Sequence, residues 1–515
     1  MSKTLVAMVG SLVLAAGAIW LLSREEGRPR ADGPGKSRRS EIVVYCAASN
    51  QSVMESILSD YARETGRKVV MQYGSSQTLL SQLQVAAVGD LYLPADDSFL
   101  EIAREKELLD ETLAIGRMRC GLAVPKGNPR KIKNLESLFA EDLRVVQANP
   151  EAAAVAKLTK TVLSKSNLWD RLDHATDAYR TTVIDVANDV KVGAADVGIV
   201  YDAVLHSFPD LEFVSIEELE SAVSNVSIGI LKSTKRPTAA LHFARYVTAR
   251  DRGLLNYHEH GFQTLGGDVW EDVPELTVYA GSMLRPAIEE TIIAFESREG
   301  VSVSRSYNGC GILVGQMKAG QHPDAYFACD VEFMSQVKDI FPQSVDVSQN
   351  ELVIIVPKGN PQKIRLLSDL TKPGLRVGIG HEKQCAMGWI TQRTLKESGI
   401  QTEFMSNVTV QTPTGDMLVN QLRTGSLDAA VVYLSNAAGA ADYLDAIQIV
   451  GLQCSIATQP WAVAKDSKHG RLADRLFQRI CSAESQEVFQ AEGFQWKLSK
   501  DSPLSSIEPN HSLSQ

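Results

Sequence analysis

The phrase "VPKGNPRKI" at Val124–Ile132 returns as "VPKGNPQKI" at Val356–Ile364. The likeness extends far beyond the phrase. "YCAASNQSVMESILSDYARETGRKV" from Tyr45 faces "YAGSMLRPAIEETIIAFESREGVSV" from Tyr279, and "GDLYLPADDSFL" from Gly89 faces "PDAYFACDVEFM" from Pro323. Further on, "VGAADVGIVYDA" from Val192 faces "TGSLDAAVVYLS" from Thr424, and "GFQ" at Gly261 faces "GFQ" at Gly493. The step between copies is 234 positions at Tyr45 and 232 at Val124, so only a small net gap separates the halves. Chance does not keep register over so long a stretch, and the period is far too long for a solenoid. The sequence predicts two homologous domains, residues 41–266 and 275–500, joined by a short hinge, "GGDVWEDVPE".

Each copy alternates short β-rich runs with helical spacing. "EIVVYCA" is β-rich, and Val53, Ile57 and Tyr61 follow at i, i+4 and i+8. "KVVMQYG" and "DLYLPAD" continue the strands, which makes the fold α/β with a largely parallel sheet. Fresh β-α units after "RCGLAVPKGNP" divide each domain into two α/β lobes, with chain crossings near Cys120–Pro125 and after Tyr201. The Gly-Asn-Pro of the repeated phrase marks a change of direction at the end of a strand.

The ends differ from the body. Residues 1–22 contain an 18-residue uncharged stretch, Leu5–Leu22, which reads as a signal peptide or a membrane anchor. Residues 23–40, rich in Gly, Pro and charge, read as a flexible tether, and residues 501–515 as a disordered tail. The body is expected outside the cytoplasm, in the periplasm or its equivalent. The formal net charge of −10, with no long basic block, argues against nucleic acid as the main partner. Seven cysteines, an odd number without a CxxC pair and differently placed in the two halves, do not suggest a disulfide framework. The histidines of "HEH" (His258–His260) diverge at i, i+2, so no metal site is expected there. Asp96 and Asp97 of "PADD" are read as helix caps rather than as an acid–base pair. No P-loop, nucleophile elbow or HExxH occurs, and no motif places a base beside a nucleophile, so an enzyme is not expected.

In open α/β sheets ligands sit beyond the carboxyl ends of strands. Two loops there, "AAS" (Ala47–Ser49) and "GSSQT" (Gly74–Thr78), offer small residues and hydroxyls at helix starts. Such loops can hold an oxyanion with backbone N–H groups, hydroxyls and helix dipoles, without Arg or Lys. Plain N-capping would also place serine there.

"YCAAS", "YGSSQTLLSQL", "GDLYLPAD", "VGIVYDA" and the closing "GF" stand in the order and spacing of the periplasmic molybdate/tungstate-binding proteins of ABC importers. The chain resembles that family over nearly all of both repeats. The resemblance implies two tandem type II periplasmic-binding-protein-like domains, each closing by a hinge on one oxyanion. It implies molybdate or tungstate as ligand, an ABC transporter permease as partner, no cofactor and no protein-bound metal cation. By resemblance Ser49 and Ser76 are the ligand serines of the first lobe, Tyr201 donates its hydroxyl from the second, and Val155 and Val183 present backbone N–H groups.

The second copy departs from this pattern. Ser282 aligns with Ala48 and Met283 with Ser49, Cys310 stands at the place of Ser76, and Tyr433 is retained. His381, Lys383 and Cys385 are added in "GIGHEKQCAMG", and Arg285 follows the first loop. This site is expected to use backbone N–H groups with a nearby cation, to accept another anion, or to be dead. Two other functions fit the sequence: a membrane-tethered oxyanion sensor or receptor without its own transporter, and a binder of sulfate or phosphate.

Overall fold

The computed structural model describes residues 41–86, 88–139 and 142–498. The expected signal or anchor segment, the tether and the 501–515 tail lie outside the described residues. Among those described, no helix is long and apolar enough to cross a membrane.

The first domain opens with β1 (Ile42–Ala47), an apolar run buried on both faces, as a central parallel strand requires. A helix over Gln51–Thr65 follows, burying Val53, Met54, Ile57 and Tyr61 and ending at Gly66, whose φ of 66° gives the left-handed cap. Then come β2 (Val69–Gly74), β3 (Leu91–Leu93), β4 (Leu109–Pro125), β5 (Val145–Ala148), β6 (Thr176–Arg180), β7 (Val197–Tyr201), β8 (Leu211–Val214), β9 (Val223–Leu231) and β10 (Gln263–Thr264). The strand order is β2-β1-β3-β9-β4-β7-β5-β6, with β8 and β10 also on β4.

This single path comprises two lobes that share β4. As far as Arg119, which pairs with Val223, β4 belongs to the sheet of the first lobe. From Cys120, which pairs with Tyr201, it belongs to the sheet of the second. Asp202 pins that junction: its carboxylate accepts from the Arg119 backbone and guanidinium at 3.0 Å each, and its own N–H donates to the Arg119 carbonyl at 3.0 Å. The chain returns to the first lobe between β8 and β9.

The second domain repeats the plan with β11 (Glu275–Gly281), β12 (Ser302–Asn308), β13 (Ala325–Phe327), β14 (Val345–Pro357), β15 (Val377–Gly380), β16 (Val408–Thr412), β17 (Ala429–Tyr433), β18 (Leu444–Gln448), β19 (Ile456–Val463) and β20 (Gln495–Trp496). Its order is β12-β11-β13-β19-β14-β17-β15-β16. The shared strand again changes sheets between a residue paired to β19, Glu351, and one paired to the matching tyrosine, Leu352 opposite Tyr433. The architecture is that of two tandem type II periplasmic-binding-protein domains.

The repeated phrase is the loop that ends each shared strand. Gly127 and Asn128 have φ of 83° and 44°; Gly359 and Asn360 have 81° and 47°. Asparagine tolerates this left-handed region because its side chain bonds locally. Asn128 accepts from the Ile132 N–H at 2.9 Å and donates to the Ile132 carbonyl at 2.8 Å, and Asn360 does the same to Ile364 at 3.0 and 2.6 Å. The loop is then tied to the adjacent strand: the Gly127 N–H donates to Glu212 at 2.9 Å and the Gly359 N–H to Asp445 at 2.8 Å.

The expected hinge between domains is bound down. Asp268 accepts from the N–H groups of Arg471 and Leu472 at 2.8 and 2.9 Å, capping the helix Gly470–Ile480 of the second domain. Trp270 packs edge-on against His242 and Tyr246 of the first, with ring centroids 4.9 Å apart in each case. Beside this segment Glu299 is 1% exposed and is held by Arg475 of its own domain at 2.9 and 3.1 Å and by Arg245 of the other at 3.1 Å. Arg298 pairs with Asp110 and Glu111 across the same boundary. Burial works to raise the Glu299 pKa, but the two arginines outweigh it and hold the carboxylate below its ordinary range.

Two consequences can be measured. Asn128→Ala removes two hydrogen bonds and should cost about 1–3 kcal/mol in denaturant unfolding. Glu299→Gln leaves two buried guanidiniums without their counter-charge and should cost about 3–5 kcal/mol. Because the folded-state pKa of Glu299 is lowered, its contribution is present at neutral pH and lost as pH falls through that lowered pKa. The Glu299→Gln variant should therefore lose less stability on acidification than the native chain.

Candidate functional site

Five chain segments end at one point between the lobes of the first domain. β1 and β2 run parallel with Ala47 opposite Gly74, so the turn Ala48–Asn50 and the helix Ser76–Ala86 start side by side. From the other lobe come the helix Ala154–Lys165, the helix Val183–Lys191 and the last residue of β7, Tyr201. Together they enclose a small cavity, about 20 Å³ for the centre of a water-sized sphere, lined by Ser49, Ser76, Val155, Val183 and Tyr201 among others. A single water needs roughly 10–15 Å³ on this measure, so the space suits one compact ion rather than a sugar or a peptide. All five positions singled out in the first copy border it.

The lining is neutral and made of donors. Ser76 Oγ accepts from the Ala95 N–H at 3.1 Å, which leaves its own hydrogen for another acceptor. Ser49 Oγ has one long contact, 3.4 Å from the Asn50 amide, and its residue is 8% exposed. The Tyr201 hydroxyl is fully buried without a hydrogen-bond partner. The nearby Ser224 Oγ has its single hydrogen directed to the Ala95 carbonyl, 2.5 Å away, or to Asp96, 2.9 Å away, and so donates none to the phenol. Burial first, then the proximity of Cys120 and Asp96, raises the Tyr201 pKa well above normal, so the phenol remains a donor. Ala153, an extended residue without a side-chain cap, leaves the first-turn N–H groups around Val155 without an intrahelical acceptor. At the other helix Thr182 and Asp185 form a capping box that satisfies the Asp185 N–H and leaves that of Val183. Among the described residues, no arginine or lysine lines the cavity.

One bond spans the lobes here: the Gln77 N–H donates to the Ala152 carbonyl at 3.2 Å. Asp96 and Asp97 divide their tasks. Asp96 accepts from the Ser98 N–H at 3.0 Å as a cap. Asp97 makes no cap bond; it takes the Ser227 hydroxyl at 2.9 Å, and burial pushes its pKa up to about 6. In "HEH", His260 Nδ1 lies 2.8 Å from the Asn256 carbonyl while His258 is exposed.

The second cleft keeps the frame and changes the lining. The turn Ser282–Leu284 matches Ala48–Asn50, which puts Met283 where Ser49 stands. The Gly311 N–H donates to the Gln384 carbonyl at 3.1 Å, the counterpart of the Gln77–Ala152 bond. The Tyr433 hydroxyl is buried and without a partner, as Tyr201 is. Arg285 is 65% exposed beside Glu289, and Lys383 lies at the surface, so neither supplies a buried cation.

Cys310 corrects the sequence reading. It heads its helix as Ser76 does, and its sulfur accepts from the Cys329 N–H at 3.1 Å as Ser76 accepts from Ala95. The same sulfur is bonded to Cys329 in a disulfide. It therefore has no S–H to offer an anion, and one disulfide exists where none was expected. The missed signal was paired: Cys329 stands at the position of Ala95, the partner of Ser76.

A family model described as bacterial extracellular solute-binding protein matches residues 42–263 and again residues 276–495. The molybdate-binding protein ModA of Mycobacterium tuberculosis is 26% identical over 223 residues, 42% of this chain and 84% of that protein. ModA of Escherichia coli is 26% identical over 238 residues, 42% of this chain and 91% of that protein. Among solved structures, the Azotobacter vinelandii periplasmic molybdate-binding protein matches at 18% identity with a TM-score of 0.39, covering 44% of this chain and all of that one. With two matches that together span most of its length, the chain belongs to the bacterial extracellular solute-binding protein family, as a tandem duplication of the family's domain.

Proposed function

We propose that the chain captures a tetrahedral oxyanion, molybdate or tungstate, in the cleft of its first domain and delivers it to the permease of an ABC importer. The observation that carries this reading is the cavity itself: hydroxyls of Ser49, Ser76 and Tyr201 and helix-start N–H groups at Val155 and Val183 surround a space for one small ion, with no cation in the lining. Neutral donors from both lobes suit a dianion that carries no proton, whereas a protonated phosphate would require a buried acceptor. Relatives named for molybdate binding support the same ligand class.

Capture proceeds by lobe closure. An ion touching Ser49 and Ser76 on one side and Tyr201 on the other favours the closed form by its differential affinity for it. We take the binding units as residues 41–266 and 275–500, with residues 1–22 directing export or anchoring the chain at the membrane. The second cleft, with Met283 and a disulfide-bonded Cys310 in place of two serines, does not bind the oxyanion tightly.

Calorimetric titration of the full chain with molybdate, tungstate, sulfate and phosphate tests this. One tight site per chain is expected, for molybdate or tungstate. Ser49→Ala with Ser76→Ala removes two donors to a charged ligand, about 1.5–3 kcal/mol each, and should weaken binding by two orders of magnitude or more. Unchanged affinity in the double variant, or two equal tight sites in the native chain, would overturn the assignment.

A further inference from the structure

Sulfur stands at five of the positions that line the first cavity when they are matched to the second domain. Where the first cavity is bordered by Ser49, Ser76, Ala95, Ala153 and Val155, the second domain has Met283, Cys310, Cys329, Cys385 and Met387. All five are buried, at 4%, 0%, 5%, 5% and 1% exposure. Three of the chain's seven cysteines thus fall on positions that surround one small space in the sister domain. A cleft that had merely decayed would fill with any apolar side chain.

The backbone has made room for these sulfurs. Gly281 stands where the first domain has Ala47; a methyl group there would lie 2.1 Å from the Cys329 sulfur and 3.2 Å from that of Cys310. Gly309 and Gly311 replace Ser75 and Gln77 on the facing turn. A side-chain carbon at Gly309 would lie 2.4 Å from the Gln384 carbonyl oxygen, and one at Gly311 2.0 Å from that of Lys383. The segment carrying Cys385 is therefore pressed, backbone to backbone, onto the helix start that carries Cys310.

We propose that the second cleft, when its disulfide is reduced, holds one soft monovalent metal ion of the Cu(I) type on the sulfurs of Cys310, Cys329 and Cys385, with Met283 and Met387 beside them, and that the Cys310–Cys329 bond switches this site off. Thiolate and thioether ligands select Cu(I) over harder ions. Among the described residues no group of three His, Cys, Asp or Glu is set to hold a metal ion as the structure stands, and Cys310 is joined to Cys329, so reduction and a rearrangement of the sulfurs are part of the proposal. The step balances as a thiol–disulfide exchange: a dithiol reductant gives up two electrons and two protons, its own sulfurs join, and Cys310 and Cys329 become thiols. Metal binding then releases thiol protons to solvent. Because the disulfide is buried, attack on it requires the lobes to part and the Gly311–Gln384 bond to break.

The test uses the full chain under anaerobic conditions. Thiols counted in denaturant should number five without reductant and seven after it; seven in both would overturn the switch. Cu(I) is then titrated in competition with a chromophoric Cu(I) chelator. The reduced chain should take up one ion about a hundredfold more tightly than the oxidised chain. Cys310→Ser with Cys329→Ala, which copies the first cleft, should abolish the tight site. Cys385→Ala should abolish it while leaving the disulfide intact, and Cys481→Ala, outside the cleft, should leave it unchanged. Circular dichroism melts show that each variant is folded. If the reduced native chain binds Cu(I) no more tightly than the variant carrying both Cys310→Ser and Cys329→Ala, or if Cys385→Ala has no effect, the sulfurs are packing only and the metal site is refuted.

Discussion

A strand that belongs to two sheets cannot relax in either without moving the other, and β4 and β14 are each such a strand. The change of sheet occurs within one peptide step, at Arg119–Cys120 and at Glu351–Leu352. The first residue past the change pairs with the tyrosine that ends β7 or β17. The tyrosine is therefore held where the two lobes are joined, at the edge of the cavity between them. Asp202, fixed to Arg119 from the next residue, makes that register hard to slip. The serines come from the opposite side, at the carboxyl ends of parallel strands whose register sets Ala47 against Gly74. The cleft is thus a product of topology before it is a product of side chains, which explains why the second domain keeps its frame with a different lining.

Much of this was legible in the sequence. The duplication declared itself through register, and the alternation of β-rich runs with helical spacing pointed to the two-lobed α/β plan. The loops that carry Ser49 and Ser76 follow from knowing that ligands sit where strands end, whereas Tyr201 was pointed to by the family resemblance alone. What was not legible depends on contacts between distant segments. The disulfide joins Cys310 and Cys329, 19 residues apart, because folding brings their two positions together as it brings Ser76 to Ala95. The linker read as a short hinge from its glycines and acidic residues; its partners, a helix start in one domain and an aromatic cluster in the other, are far away in sequence. Asp97 resembled a cap from its place before a helix, and instead answers to Ser227 on β9.

The repeated phrase that first betrays the duplication ends the shared strand and is not among the residues that line the cavity of the first domain. Its asparagine closes a loop in which glycine and asparagine both take left-handed backbone, a conformation few other residues accept. Backbone requirements of this kind persist through divergence that rewrites a binding cleft. The most alike stretch between the copies is thus far from the most informative about what they bind.

The Glu299 cluster bears on the history of the chain. In a freshly duplicated pair each domain could have been lost without harm to the other. Once a carboxylate buried in one domain came to be shared with Arg245 of its neighbour, removal of either half would strand charge in a newly opened surface. From that point the second domain is retained by what it does for its sister's stability, whatever its own cleft holds. Its lining can then diverge from that of its sister while the boundary between the domains stays closed.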